Sequence, residues 1–180
     1  MKLTCSILLL CHLSVAFAFA ELENGDFSEG KAKWRGDGKV EKIGDDTVLA
    51  VTLSKNNFSE TTQDLKMPAT VKRIKVTVQV QPGKDYVFNE KSRNISDVDW
   101  TPGGNYSWSA LVHPKSDFHI RVKDDSFRYK LAKAEYGVWT TVEAEIRGIK
   151  NPKDLELALV FPPGDGVMMV KSVKVEELKE

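Results

Sequence analysis

Arg73-Ile74-Lys75-Val76-Thr77-Val78-Gln79-Val80-Gln81-Pro82 alternates apolar and polar side chains without a break, then meets Gly83. A period of two places Ile74, Val76, Val78 and Val80 on one side of an extended chain and Lys75, Thr77 and Gln79 on the other. A helix would scatter both sets around its axis, so this stretch reads as a strand with one buried face.

The same alternation recurs on both sides of it. Leu49-Val51-Leu53 precedes it. Tyr106-Trp108-Ala110-Val112, Phe118-Ile120-Val122, Phe127-Tyr129-Leu131, Val142-Ala144-Ile146 and Leu155-Leu157-Leu159-Phe161 follow, and Val170–Leu178 makes a terminal strand. Turn-forming clusters separate the runs, among them Gly36-Asp37-Gly38, Gly44-Asp45-Asp46, Lys123-Asp124-Asp125 and Pro162-Pro163-Gly164-Asp165-Gly166. No segment keeps a helical apolar stripe for three turns. Lys130–Tyr136 is the one place where a short helix is expected. Within the irregular stretch 83–105, Val87 and Phe88 can form a short strand. Many short strands at this spacing predict an all-β antiparallel sandwich, or jelly roll, with edges protected by Lys and Glu.

The first twenty residues read differently. Lys2 precedes an apolar run that ends in Ala18-Phe19-Ala20. One positive charge, a short apolar stretch and small residues at the cleavage site predict a secretory signal peptide. The run is too short, and lacks the flank, for a membrane span. Residues 1–20 are thus expected to be removed, leaving 21–180 as one domain exported to a periplasm or the extracellular space.

The leader holds both cysteines, Cys5 and Cys11, and one Lys, but no acidic residue. The mature domain then has neither a disulfide nor thiol chemistry and relies on core packing alone. It carries 25 Lys+Arg against 26 Asp+Glu. That balance gives no basic footprint for nucleic acid and no acidic tail for a cationic partner. Asn57, Asn94 and Asn105 each begin an N-x-S sequon.

Several markers occur in a telling order. Leu22-Glu23-Asn24-Gly25-Asp26-Phe27-Ser28-Glu29-Gly30 stands near the mature N-terminus, with Trp34 after it. Gln63-Asp64-Leu65-Lys66-Met67-Pro68 leads into the strand at 73–80, and Trp139-Thr140-Thr141-Val142 comes late. Together they resemble the CenC-type carbohydrate-binding modules of families four and nine, within the galactose-binding-domain-like jelly rolls. The residues themselves explain part of the pattern: Asn24-Gly25 turns the chain after an entering strand, Phe27 plugs the core, and Trp34 and Trp139 cap the sandwich.

The resemblance implies a sugar site on a sheet face or at the loop rim. Sugar rings stack on aromatic faces, and their hydroxyls need amide or carboxylate partners. The best local match is Trp100, Asn105, Tyr106 and Trp108, with Asp97 and Asp99 beside them. Trp100 precedes a Pro-Gly turn and is the aromatic expected to be exposed. Tyr106 and Trp108 share one strand face and can instead point into the core.

Members of the family often hold a structural calcium through acidic residues of a terminal D-D-V strand. The aligned run here is Val170-Lys171-Ser172-Val173, in which Lys and Ser replace both carboxylates. A lysine cannot ligate calcium. Asp26 and Glu29 remain nearby, but no cofactor is expected.

No signature of catalysis stands out. His113 and His119 are the histidines outside the leader, and neither has a metal-ligand spacing. No G-x-S-x-G elbow exists. The expectation is a non-catalytic module whose partner is a poly- or oligosaccharide. The rival reading is a structural domain of the envelope or extracellular space that binds another protein.

Overall fold

The computed structural model describes residues 22–88, 118–123, 128–132 and 138–179. They form two five-stranded antiparallel sheets and a small ribbon. Strands β1 (Arg35–Gly36), β4 (Ser59–Leu65), β7 (Phe118–Lys123), β8 (Arg128–Ala132) and β10 (Leu155–Phe161) make the first sheet, in the order β1-β4-β10-β7-β8. Strands β2 (Lys39–Ile43), β3 (Asp46–Thr52), β5 (Arg73–Pro82), β9 (Thr140–Arg147) and β12 (Val167–Glu177) make the second, in the order β2-β3-β12-β5-β9. β6 (Val87–Phe88) pairs with β11 (Gly164–Asp165). A 3-10 turn, Pro152–Asp154, precedes β10. The expected antiparallel sandwich is therefore what the chain adopts.

The alternation in β5 does what its period requires. Ile74, Val76, Val78, Val80 and Pro82 are buried, while the intervening residues are half-exposed. They face Val142, Ala144 and Ile146 of β9 across one edge and β12 across the other. The first sheet supplies Leu155, Leu157, Leu159 and Phe161, with Phe118, Ile120 and Val122 of β7 beside them. Phe118 and Phe161 pack with ring centroids 5.4 Å apart. The two apolar faces close on each other as the core.

β12 keeps its apolar residues inward only because of a bulge. Met168 and Val170 lie opposite Pro82 and Val80; after the shift at Lys171, Val173 and Val175 lie opposite Val78 and Val76. The extra residue changes the inward set from even to odd numbers. The Lys171–Glu177 stretch is thus not wholly solvated: Val173 and Val175 belong to the core, and Lys174 and Glu176 face outward.

The structure differs from the sequence reading in other places. Lys130–Ala132 lies in β8, so no helix begins at Lys130. Pairing with β7 decides this, because a hydrogen-bonded neighbour outweighs weak helical propensity. Leu22–Asn24 is irregular, so no entering strand precedes Gly25 in the described residues. β4 was not legible as a strand, since its inward residues Ser59, Thr61 and Gln63 are polar yet buried.

Two of those polar groups have identifiable partners. Thr61 donates from Oγ1 to the Asp37 carbonyl at 2.7 Å. The Gln63 amide accepts from the Glu23 N–H at 2.9 Å and donates to the Glu23 carbonyl at 2.8 Å. A side-chain amide thus gives the main chain of Glu23 the pair of hydrogen bonds that a neighbouring strand would have given it.

Candidate functional site

The six residues singled out from sequence, Asp97, Asp99, Trp100, Asn105, Tyr106 and Trp108, lie between β6 and β7, outside the described residues. Of the two tryptophans expected to cap the sandwich, Trp34 is buried. Its ring packs on Phe27 at 5.6 Å, and its Nε1–H donates to the Asn24 carbonyl at 3.0 Å. Trp139 is half-buried, with the Lys171 ammonium 5.9 Å from its ring centre.

The described residues present a second, polar candidate: the outer face of the first sheet. Strand register places Arg35 opposite Thr62, Thr62 opposite Ala158, and Ala158 opposite Arg121. Two arginines thus stand on one row, roughly 14 Å apart at about 4.8 Å per strand, with small side chains between them. Because opposed residues share a face, Glu60 and Asp64 of β4 and Glu156 and Val160 of β10 join this row, which is open at Arg35 and Asp64 and buried at Ala158, Val160 and Arg121.

Those charges form one chain across four strands. Arg35 donates from both terminal nitrogens to Asp64, at 2.5 and 2.7 Å, and from Nη2 to Glu156 at 3.1 Å. The other oxygen of Glu156 lies 4.0 Å from Nη2 of Arg121, which also donates to Glu60. Glu156 therefore links the two arginines. The Arg35 guanidinium beside Asp64 holds that carboxyl below its usual range, and the carboxylates raise the guanidinium further. Burial pulls Arg121 the other way, opposed by Glu60 and Glu156. Its side chain is only 4% exposed.

Next to Arg35, at the sheet edge, opens a cleft of about 360 Å³ lined by Glu23, Lys33, Trp34, Gln63, Asp64 and Lys66. Lys66 and Lys33 hold Glu23 from both sides, at 2.7 and 2.9 Å, and bring its carboxyl down to about 2. Asn24 organises the adjoining loop: its amide donates to the carbonyls of Gly30 and Ala32 and accepts from the Glu29 N–H.

The face is thus a set of fixed donors and acceptors with little net charge. Such an array suits hydroxyl-rich neutral ligands better than a strong polyanion. This chain of charges is not legible in the sequence, because alternating charge along a strand is also how an ordinary solvated face looks. Arg121, between Ile120 and Val122, was the available signal.

No protein-family model matches the chain, and no curated protein does. Solved structures share its fold. A family 61 carbohydrate-binding module in complex with β-1,4-galactotriose superposes with a TM-score of 0.56 at 15% identity, over 87% of this chain and 97% of that one. A family 16 carbohydrate-binding module gives 0.52 at 10% identity, over 86% and 97%. The enzymatically active domain of a bacteriophage CBA120 tailspike gives 0.51 at 10% identity, over 88% of this chain but 21% of that one. Identity this low establishes the jelly-roll sandwich and nothing finer. Among the described residues, no helix is long and apolar enough to cross a membrane.

Proposed function

We propose that this chain is a secreted, non-catalytic carbohydrate-binding module of the CenC type. The supporting observation is the shared sandwich: the family 61 module, bound to a galactotriose, matches over nearly its whole length. In this reading the sugar rings stack on Trp100, with Asn105, Tyr106, Trp108, Asp97 and Asp99 supplying further contacts. Arg35, Asp64 and Thr62, at the open end of the polar row, offer further hydroxyl partners.

The test is a glycan array and an insoluble-polysaccharide pull-down with residues 21–180, run beside Trp100→Ala and Thr62→Trp. Loss of one stacking partner should weaken binding by about 1.5–3 kcal/mol, comparable to burying a large apolar side chain. Binding that collapses in Trp100→Ala locates the site there. Binding blocked only by Thr62→Trp locates it on the sheet face. Absence of binding to every glycan would sink the proposal.

One observation favours the rival reading of a protein-interaction domain. Every described aromatic side chain is buried or half-buried, and the exposed large apolar residues are Ile43, Val87 and Val138. If no glycan binds, capture of extracellular protein partners becomes the next experiment.

A further inference from the structure

The resemblance implies a calcium ion between the N-terminal loop and the last strand, and the residues here can be tested for their fit to it. The N-terminal loop and β12 meet at a cleft of about 440 Å³, lined by Leu22, Gly25, Asp26, Ser172, Val173, Lys174 and Val175. Calcium takes six to eight oxygen ligands, with carboxylates prominent among them. This cleft offers one carboxylate. Oδ1 of Asp26 already accepts the Ser28 N–H at 3.1 Å and its hydroxyl at 2.8 Å. The Ser172 hydroxyl, held by its hydrogen bond to Gln79 at 3.0 Å, brings one neutral oxygen and no charge. Lys174 adds a positive charge to the wall. Among the described residues, no three acidic, His or Cys side chains converge.

The junction is closed by other means. The Val173 N–H donates to the Gly25 carbonyl at 2.7 Å, which satisfies the edge of β12 beyond its pairing with β3. Where the family pattern has a carboxylate, Lys171 supplies a cation carried by the chain itself. From the bulge, its ammonium reaches Asp46 at 2.6 Å and lies over the Trp139 ring. It ties the start of β3 to the approach of β9 across the outside of the second sheet.

We infer that this sandwich is a calcium-independent member of its fold, in which Lys171, clamped between Asp46 and Trp139, and the Gly25–Val173 hydrogen bond lock the terminal strand without a metal. The disagreement lies in the donor set, and it stands whether or not the chain binds sugar.

The experiment compares thermal unfolding of the protein in EDTA and in calcium chloride at matched ionic strength, with a calorimetric calcium titration alongside. A ligand that binds only the folded state raises its melting temperature with concentration. The expected result is coincident melting curves and no binding heat. Lys171→Met should melt at a lower temperature, by the same amount in both solutions. Calcium-dependent melting of the unaltered protein would overturn the inference. An unchanged midpoint in Lys171→Met, or one restored by calcium, would overturn the role given to Lys171.

Discussion

Gly25 and Val173 touch through their backbones: the Val173 amide donates to the Gly25 carbonyl at 2.7 Å, and a Cβ placed on Gly25 would lie 2.3 Å from the Val173 carbonyl oxygen. The obstructing atom is main chain of a core strand and cannot swing aside. This is why the loop before Trp34 has a glycine where it crosses β12.

Gly25→Ala should therefore destabilise the fold by about 1–3 kcal/mol, in the range of other overpacking substitutions. Urea unfolding monitored by tryptophan fluorescence checks this. A midpoint equal to that of the unaltered protein would mean the loop moves freely and the contact is not restrictive.

Removing Arg121 should harm the fold more than removing an exposed arginine. Arg121→Ala takes a buried guanidinium from Glu60 and from Glu156, whose side chains are 30% and 27% exposed, and should cost about 1–3 kcal/mol. Arg147, which is 64% exposed and paired with Glu145, is the control: its alanine variant should change stability by under about 1 kcal/mol. Equal effects from the two would contradict the burial assigned to Arg121.

Acidification should weaken the N-terminal clasp in a defined window. The Glu23 carboxyl falls from an ordinary 4.5 to about 2, chiefly through its hydrogen bonds to Lys66 and Lys33. A depressed carboxyl stabilises the fold fully above its unfolded value and loses that contribution as pH drops from about 4.5 toward 2. Asp64, lowered by Arg35, acts in the same direction. Glu23→Gln should thus be less stable than the unaltered protein at pH 7, with the gap narrowing below about pH 4.5 and closing only below about pH 2. Parallel stability curves across that range would remove Glu23 from the clasp.

The bulge at Lys171 makes a sharper prediction. Deleting that residue lets Ser172, opposite Gln79, follow directly on Val170, opposite Val80, so simple alternation is restored with Val173 and Val175 still inward opposite Val78 and Val76. The variant loses the Lys171–Asp46 ion pair but no buried valine. It should therefore still unfold in one cooperative transition by calorimetry, as Lys171→Ala should. Loss of cooperativity on deletion would mean that the bulge itself, rather than the register it joins, holds the strand.

The sequence alone determined the sandwich. Strands such as 73–80, 155–161 and 118–122 are dominated by side chains whose burial favours one face, and a period of two records that preference locally. The turn residues record where it stops. Only the tertiary structure decided which strands are neighbours and what their polar residues do. β4 hides Thr61 and Gln63 because Asp37 and Glu23, distant in sequence, supply their partners. The chain Asp64–Arg35–Glu156–Arg121–Glu60 exists because β1, β4, β10 and β7 were brought side by side. The shift of inward parity in β12 is likewise set by pairing with β5 rather than by its own composition. Local pattern reports how a segment divides between water and core. Pairing register is a property of two segments at once, so it becomes visible only when both are in place.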